Sequence, residues 1–491
     1  MAGLAAVISK NGEVVSEPLT RMLRAMEHRG GDGYGVAGKE GTIVSASLPR
    51  AEEVAGEFML GCCNRRLLTN DVEQPLGERG YALALDGGLY PSPDVSDAFA
   101  AAEHLGHSPE KGIEWLLAKA NGSYALVVLE GSHLLCARDP SGTVPLYVGE
   151  STKYLAVASE RKALWSIGIE NPSSLPPGHL AKITGQGLTL KPVKVLKPPE
   201  LRRQGEEEAV EKIRSLLLQA VDFRTRDIER VAVGFSGGLD SSLLAYFTDA
   251  CGVEVDLISV GVEGSGLGEA VEAAESLGLP YYAELYSERA VEGAVDEALL
   301  CVEEPNPLKV EIAVPLLWVA EKAAELGDRV LLLGQGCDEL FGGYRKHLDT
   351  YLRGGAEAAR SLMFRDVAEA YERNYEPNNK VIAHRGVELR LPFADWELTQ
   401  FALSLPVELK LSGENRLVKR ILRTLAGNLG LPLAVTARRK RAIQYSTGVD
   451  KVIRKIAKRQ GLTLTGFLQR RFAEALSGCE SLNKLVSRQG A

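Results

Sequence analysis

Apolar and polar positions divide the chain into two stretches of different rhythm. Up to about residue 195, short apolar runs dominate, rich in β-branched residues and closed by Gly, Asp or Asn, as strands bounded by turns should be. They predict strands at 3–9, 42–46, 58–63, 81–86, 123–129, 133–137, 145–148 and 154–157, with helices at 17–28, 97–105 and 110–120. Two sheets covered by helices account for that distribution. Further on, Val210, Ile213, Leu216, Leu217 and Val221 keep a helical period across 209–223. Three almost wholly apolar strands follow, at 231–235, 255–262 and 330–333, with amphipathic helices between them. Such strands belong to a parallel sheet buried on both faces.

The stretch 194–208 separates the two rhythms. It carries Lys197-Pro198-Pro199-Glu200, paired arginines and Glu206-Glu207-Glu208, and no apolar period. A proline-interrupted, charged segment of this kind reads as a linker. The organisation expected is therefore a domain at 1–195, a linker at 196–208 and a second domain at 209–491. A chain of 491 residues is in any case too long for one ordinary core.

Composition narrows the class. Hydrophobic content of 45% with 25% charged residues describes a soluble globular protein, and a net charge of −8 argues against a dominant nucleic-acid surface. No apolar run reaches the roughly 18 residues that span a bilayer, and the first residues carry no basic leader. Seven scattered cysteines without a Cys-x-x-Cys pair fit reduced thiols better than disulfides or a zinc site. The expectation is a cytoplasmic protein that binds neither membrane nor nucleic acid.

The chemistry centres on Phe235-Ser236-Gly237-Gly238-Leu239-Asp240-Ser241-Ser242. A glycine loop between a buried strand and a helix N-terminus lets backbone amides approach an anion, so it suits phosphate or pyrophosphate. No lysine follows the glycines, which excludes the Gly-x-x-x-x-Gly-Lys-Ser/Thr loop. Ser-Gly-Gly-x-Asp-Ser resembles the pyrophosphate loop of ATP pyrophosphatases, enzymes that split ATP into AMP and pyrophosphate. In open parallel sheets ligands sit beyond the carboxyl ends of the strands. Residues 236–240, Val260 and 334–339 should therefore converge on one ATP site, with Leu333 and Gly334 beside the nucleotide and adenine near the Val260 backbone. Asp240 and Asp338 are the candidate Mg²⁺ ligands, since Mg²⁺ takes one or two carboxylates plus phosphate oxygens. Asp also favours helix N-caps, and for Asp338 the two roles are compatible.

Gly334-Gln335-Gly336-Cys337-Asp338-Glu339-Leu340-Phe341-Gly342-Gly343-Tyr344 resembles the Gly-Glu-Gly-Ser-Asp-Glu…Gly-Gly-Tyr motif of the asparagine synthetase family. Residues 387–395 and 438–449 resemble later family motifs, and the family's catalytic lysine maps to Lys440. Earlier echoes, among them His28-Arg29-Gly30-Gly31-Asp32-Gly33 and residues 158–163, resemble the family's glutaminase domain. The resemblance implies a four-layer αββα glutaminase-like fold of the N-terminal-nucleophile type, followed by a parallel-sheet ATP pyrophosphatase domain.

Departures qualify that implication. The family's nucleophilic cysteine after Met1 is Ala2 here, and alanine has no group that can form a thioester. The family's Asn-Gly-Glu is Asp86-Gly87-Gly88, which places a carboxylate where an oxyanion would develop and removes an acidic partner. Arg66, which would clamp a glutamine carboxylate, is kept. In the second domain the family's glutamate is Gln335, which can hydrogen-bond an amine but cannot accept its proton. Glu311 also stands where the family usually has arginine. The implied activity is adenylation of the aspartate side chain by ATP with Mg²⁺, then amination by ammonia. The ammonia is free or comes from a separate partner, the glutaminase activity is lost, and a homodimer is a candidate assembly. The alternatives are a β-lactam-synthetase-like ligase with another acceptor, and a non-catalytic ATP-binding relative.

Overall fold

The computed structural model describes residues 2–48, 55–414, 416–438 and 442–478. The strand Ala2–Ser9 is the spine of a seven-stranded antiparallel sheet, between Tyr154–Ala158 and Phe58–Asn64. A second, six-stranded antiparallel sheet is built around Asn121–Glu130 and Tyr81–Tyr90. Because side chains alternate along a strand, Ala2, Leu4, Ala6 and Ile8 face the second sheet. Ala5 and Val7 face the helices Ser16–Arg24 and Arg161–Trp165. The helices Asp97–Leu105 and Pro109–Lys119 cover the far side of the second sheet. The result is the expected four layers of helix, sheet, sheet and helix. It also explains why Ala2–Ser9 is buried throughout, with no polar alternation.

The third sheet is parallel in every pairing, in the order Tyr281–Tyr286, Glu254–Val262, Arg230–Gly234, Val330–Leu332, Glu388–Arg390. One face packs Val231, Val233 and Leu257 against the helices Glu206–Phe223 and Leu239–Ala250. The other packs Ala232, Ile258 and Leu331 against Glu288–Val302 and Pro307–Leu326. Both edge strands escape a search for apolar runs. Tyr281–Tyr286 is only half-buried, and Glu388–Arg390 carries charges that are paired in the interior. Pattern also missed Gly33–Gly38, His179–Thr184 and Gly187–Pro192, and it ended Tyr81–Tyr90 at Asp86, where the glycines suggest a turn.

Residues 193–205 carry no regular element. They are nonetheless tied down, since the Arg202 amide donates to Ser404 O at 2.9 Å. The helix Glu376–His384 joins the two halves. Glu376 accepts from Arg138 Nη1 and the Tyr147 hydroxyl at 2.8 Å each, and Asn379 Oδ1 accepts from Arg29 Nη2 at 3.2 Å. Among the described residues no helix is long and apolar enough to cross a membrane.

Candidate active site

Arg230–Gly234 ends at the loop of Phe235, Ser236, Gly237 and Gly238, and Leu239–Ala250 starts immediately after it. Gly237 has φ 65°, and a Cβ there would stand 2.7 Å from the Ala270 backbone and 2.8 Å from Arg438 Nη1, so only glycine fits. The loop is braced from within. The Ser236 amide donates to Ser241 Oγ at 3.2 Å, and Ser241 Oγ donates to Gly238 O at 3.1 Å. Arg438 Nη1 reaches across to donate to Ser236 O at 2.9 Å.

The three predicted strand ends meet. Phe235, Ser236, Asp240, Ser241, Val260, Leu333, Gly334, Gln335 and Asp338 all line one cavity of about 1300 Å³. Ser242 is not on that wall and is fully buried. Gln335 Oε1 is buried without a hydrogen-bond partner, although its residue lines the cavity. Lys440 lies outside the described residues; Arg438 and Ala442, either side of it in sequence, both line the cavity. Glu311 is buried in Pro307–Leu326 and accepts from Arg454 Nη2 at 3.2 Å.

Lys419 was not foreseen from the motifs. It bridges the two predicted metal-ligating carboxylates, with Nζ 2.6 and 2.5 Å from the oxygens of Asp240 and 2.5 Å from Asp338 Oδ1. Burial works against its charge, but Asp240 and Asp338 outweigh that and hold the ammonium well above the ordinary lysine range. The Cys337 thiol donates to Asp240 Oδ1 at 3.1 Å; burial, then the charge of Asp240, pushes it well above the usual thiol range. The glycine pair of the motif now has a cause. A Cβ at Gly343 would stand 1.9 Å from Asp338 Oδ1 and 2.3 Å from Lys419 Cε. One signal for Lys419 was present in the sequence. A lysine opening the apolar-periodic helix Arg420–Asn428 opposes the helix dipole and needs carboxylates nearby.

Glu339 is buried beside Asp338 and accepts from the Tyr344 hydroxyl at 2.6 Å and from Asn374 Nδ2 at 2.7 Å. Burial, reinforced by Asp338, raises its carboxyl. The cavity is thus acidic at Asp240, Asp338 and Glu339. It is basic at the rim, where Arg345, Lys346, Arg373 and Arg416 line it.

The predicted glutaminase positions form a different kind of site. The Ala2 amide donates to Asp86 Oδ1 at 2.7 Å, and Arg29 Nη2 donates to Asp86 Oδ2 at 2.8 Å. Arg29 also donates to Ala2 O at 3.1 Å, Glu160 Oε1 at 3.2 Å and, on the joining helix, Asn379 Oδ1 at 3.2 Å. Ala2, Arg29 and Glu160 are fully buried. Burial pushes His28 down to about 4 against the pull of Glu160. Burial also opposes ionisation of Glu160, yet His28, Lys162 and Arg29 hold it well below the ordinary carboxylate range. Gly88 sits on the strand opposite Ser123, with Asp97 beside it. Arg66 is half-exposed and donates to Glu73 Oε1 at 2.6 Å.

A glycine loop between a parallel strand and a helix N-terminus, opening on a charged cavity, is the arrangement of α/β proteins that take a phosphate-bearing ligand. Here it follows an αββα sandwich. Comparison with known proteins gives the particular family. A family model described as asparagine synthase matches residues 212–358 and 351–485, more than half of the chain, and a glutamine amidotransferase domain model matches residues 65–166. The chain belongs to the asparagine synthase family. A Methanocaldococcus jannaschii protein whose name proposes a glutamine-hydrolyzing asparagine synthetase is 28% identical, over 94% of this chain and 96% of its own. Asparagine synthetase (glutamine-hydrolyzing) 3 of Arabidopsis thaliana is 26% identical, over 91% of this chain and 79% of its own. A solved glutamine phosphoribosylpyrophosphate amidotransferase from B. subtilis covers 57% of this chain and 65% of its own, at 20% identity and a TM-score of 0.35, a likeness too slight to bear on function.

Proposed function

We propose that the protein is an AMP-forming amide ligase that makes asparagine from aspartate, ATP and ammonia. The observation that carries this reading is the convergence of Ser236, Asp240, Ser241 and Asp338 on one cavity, in a chain of the asparagine synthase family. The β-carboxylate of aspartate attacks the α-phosphorus of ATP, and pyrophosphate leaves into the 236–242 loop, where backbone amides at the helix N-terminus receive it. Ammonia then adds to the β-aspartyl-AMP carbonyl, loses a proton, and AMP departs. Asp240 and Asp338 fit a divalent cation, since they already gather their oxygens round the Lys419 ammonium. Mg²⁺ held there would neutralise phosphate charge. Lys440 is assigned to the negative charge that builds on the phosphoryl oxygens, and Gln335, with its open acceptor, to orienting the incoming amine.

The N-terminal domain is read as an inactive glutaminase. It has no nucleophile at Ala2, and Asp86 is committed to the Ala2 amide and to Arg29. Ammonia therefore comes from solution or from a separate protein, and the boundaries at 195 and 209 separate the two domains. Incubation with aspartate, ATP, Mg²⁺ and ammonium should yield pyrophosphate and asparagine, with glutamine unable to replace ammonium. Comparable turnover with glutamine would remove the inactive-glutaminase reading. A second reading is motivated by Gln335, which lines the cavity and changes the acceptor side of the site, whereas Glu311 is paired with Arg454 away from the cavity wall. That reading keeps adenylation and alters the carboxylate or the amine. A panel of carboxylates in the same pyrophosphate assay decides between the two.

A further inference from the structure

Lys419 occupies a point that the sequence assigned to a metal. Its Nζ lies within 2.6 Å of three oxygens of Asp240 and Asp338. A divalent cation bound by the same two carboxylates needs nearly that position, and two cations cannot share it in a buried site. The lysine is kept there against local preference. Its backbone is left-handed, at φ 54° and ψ 37°, a region that residues other than glycine seldom take. It also opens a helix, where the dipole disfavours a cation. Gly343 supplies the space, since any Cβ there would overlap Lys419 Cε and Asp338 Oδ1.

We propose that Lys419 is an internal counter-ion that holds the divalent-cation position until a polyphosphate draws it away, so that metal enters only together with the polyphosphate. The identity of the anion rests on the ATP-splitting reading above; aspartate and ammonia play no part. With the ammonium in place both carboxylates are engaged and one of their two negative charges is offset, so a metal ion alone must displace a bound cation to enter. Pyrophosphate in the 236–241 loop offers oxygens of higher charge to a point-charge donor on a flexible four-carbon stem. Once Lys419 turns to them, the carboxylates are open to metal, whose remaining ligands are phosphate oxygens. Cys337, which donates to the same Asp240 oxygen that Lys419 contacts, keeps that carboxylate oriented through the exchange.

The test is retention of Mn²⁺ by the full chain on an ultrafiltration membrane, with and without inorganic pyrophosphate, so that the small Mn²⁺–pyrophosphate complex passes through unless protein holds it. The wild type should retain about one equivalent with pyrophosphate and essentially none without it. Lys419→Met and Lys419→Gln, each checked by thermal melting, should retain Mn²⁺ without pyrophosphate, about tenfold or more tightly than the wild type. Wild-type retention without pyrophosphate as tight as in Lys419→Met overturns the proposal. So does a folded Lys419→Met that binds no Mn²⁺ alone, or a wild type that binds none in either condition. If neither variant folds, the wild-type arms decide by themselves. A failed asparagine assay leaves this result untouched, because no step of the measurement consumes aspartate or ammonia.

Discussion

The two halves of the molecule each enclose a cation between two carboxylates, and the cations differ in what they are free to do. Arg29 sits between Asp86 and Glu160 and is also bound to Ala2 and Asn379. Its planar fork is spent on fixed acceptors at a fully buried position. Lys419 sits between Asp240 and Asp338, and both carboxylates line a cavity large enough for a nucleotide. The first arrangement is a rivet between the domains; the second is a charged cluster on the wall of an open cavity. A buried charge cluster is therefore not by itself a mark of chemistry. What separates the two is an open wall and a side chain that can leave.

Substitutions can break that contrast, and the largest effect should come from the rivet. Arg29→Met strands Asp86 and Glu160 in the interior and should cost about 3–5 kcal/mol of stability, seen as a lower denaturant midpoint. The matching change at Lys419 should cost less, about 1–3 kcal/mol, because cavity water can solvate the carboxylates left behind. Equal losses would erase the distinction. Asp240→Asn or Asp338→Asn should next lower pyrophosphate release by about a hundredfold or more, with the chain still folded because the other carboxylate continues to pair Lys419.

A smaller effect is expected at Asp97, whose carboxylate accepts from the Leu89 amide at 2.7 Å. Burial raises this carboxyl to about 7 from the ordinary 3.8. The folded state then binds the proton more tightly than the unfolded chain. The stability this gives is complete below about pH 4 and is lost as pH rises through about 7. Melting of wild type and Asp97→Asn from pH 4 to 8 should show the variant gaining on the wild type up to about pH 7 and holding level above it. The smallest effect is none at all. Ala2→Cys should not restore glutamine-dependent turnover, because Asp86 and Arg29 still fill the space round the new thiol. Glutamate release above background in that variant would reopen the N-terminal site.

Much of this was legible because its cause is local. An apolar run such as 231–235 makes a buried strand wherever it lies, and Gly237 needs its left-handed turn in any strand–loop–helix unit. Ala2 lacks a thiol and Gln335 lacks a carboxylate in every conformation, so the loss of those groups could be read directly. The mistakes were local too, since the strand expected at 81–86 runs on through Gly87 and Gly88 to Tyr90, with 86–90 paired to 121–125.

What only the tertiary structure decided depends on partners far apart in the chain. Lys419 carries no motif, and its meaning comes from Asp240, 179 residues away, and from the bare Cα of Gly343. Arg29 became a rivet only when the fold placed Asp86, Glu160 and Asn379 around it. Arg66, which the family resemblance assigns to a substrate carboxylate, pairs with Glu73 at the surface. The sequence by itself determined which groups are present and which short segments form strands and helices, because those follow from covalent chemistry and near-neighbour sterics. Electrostatic pairing acts through space, so only the folded chain decided which charges meet and which of them stay beside open volume.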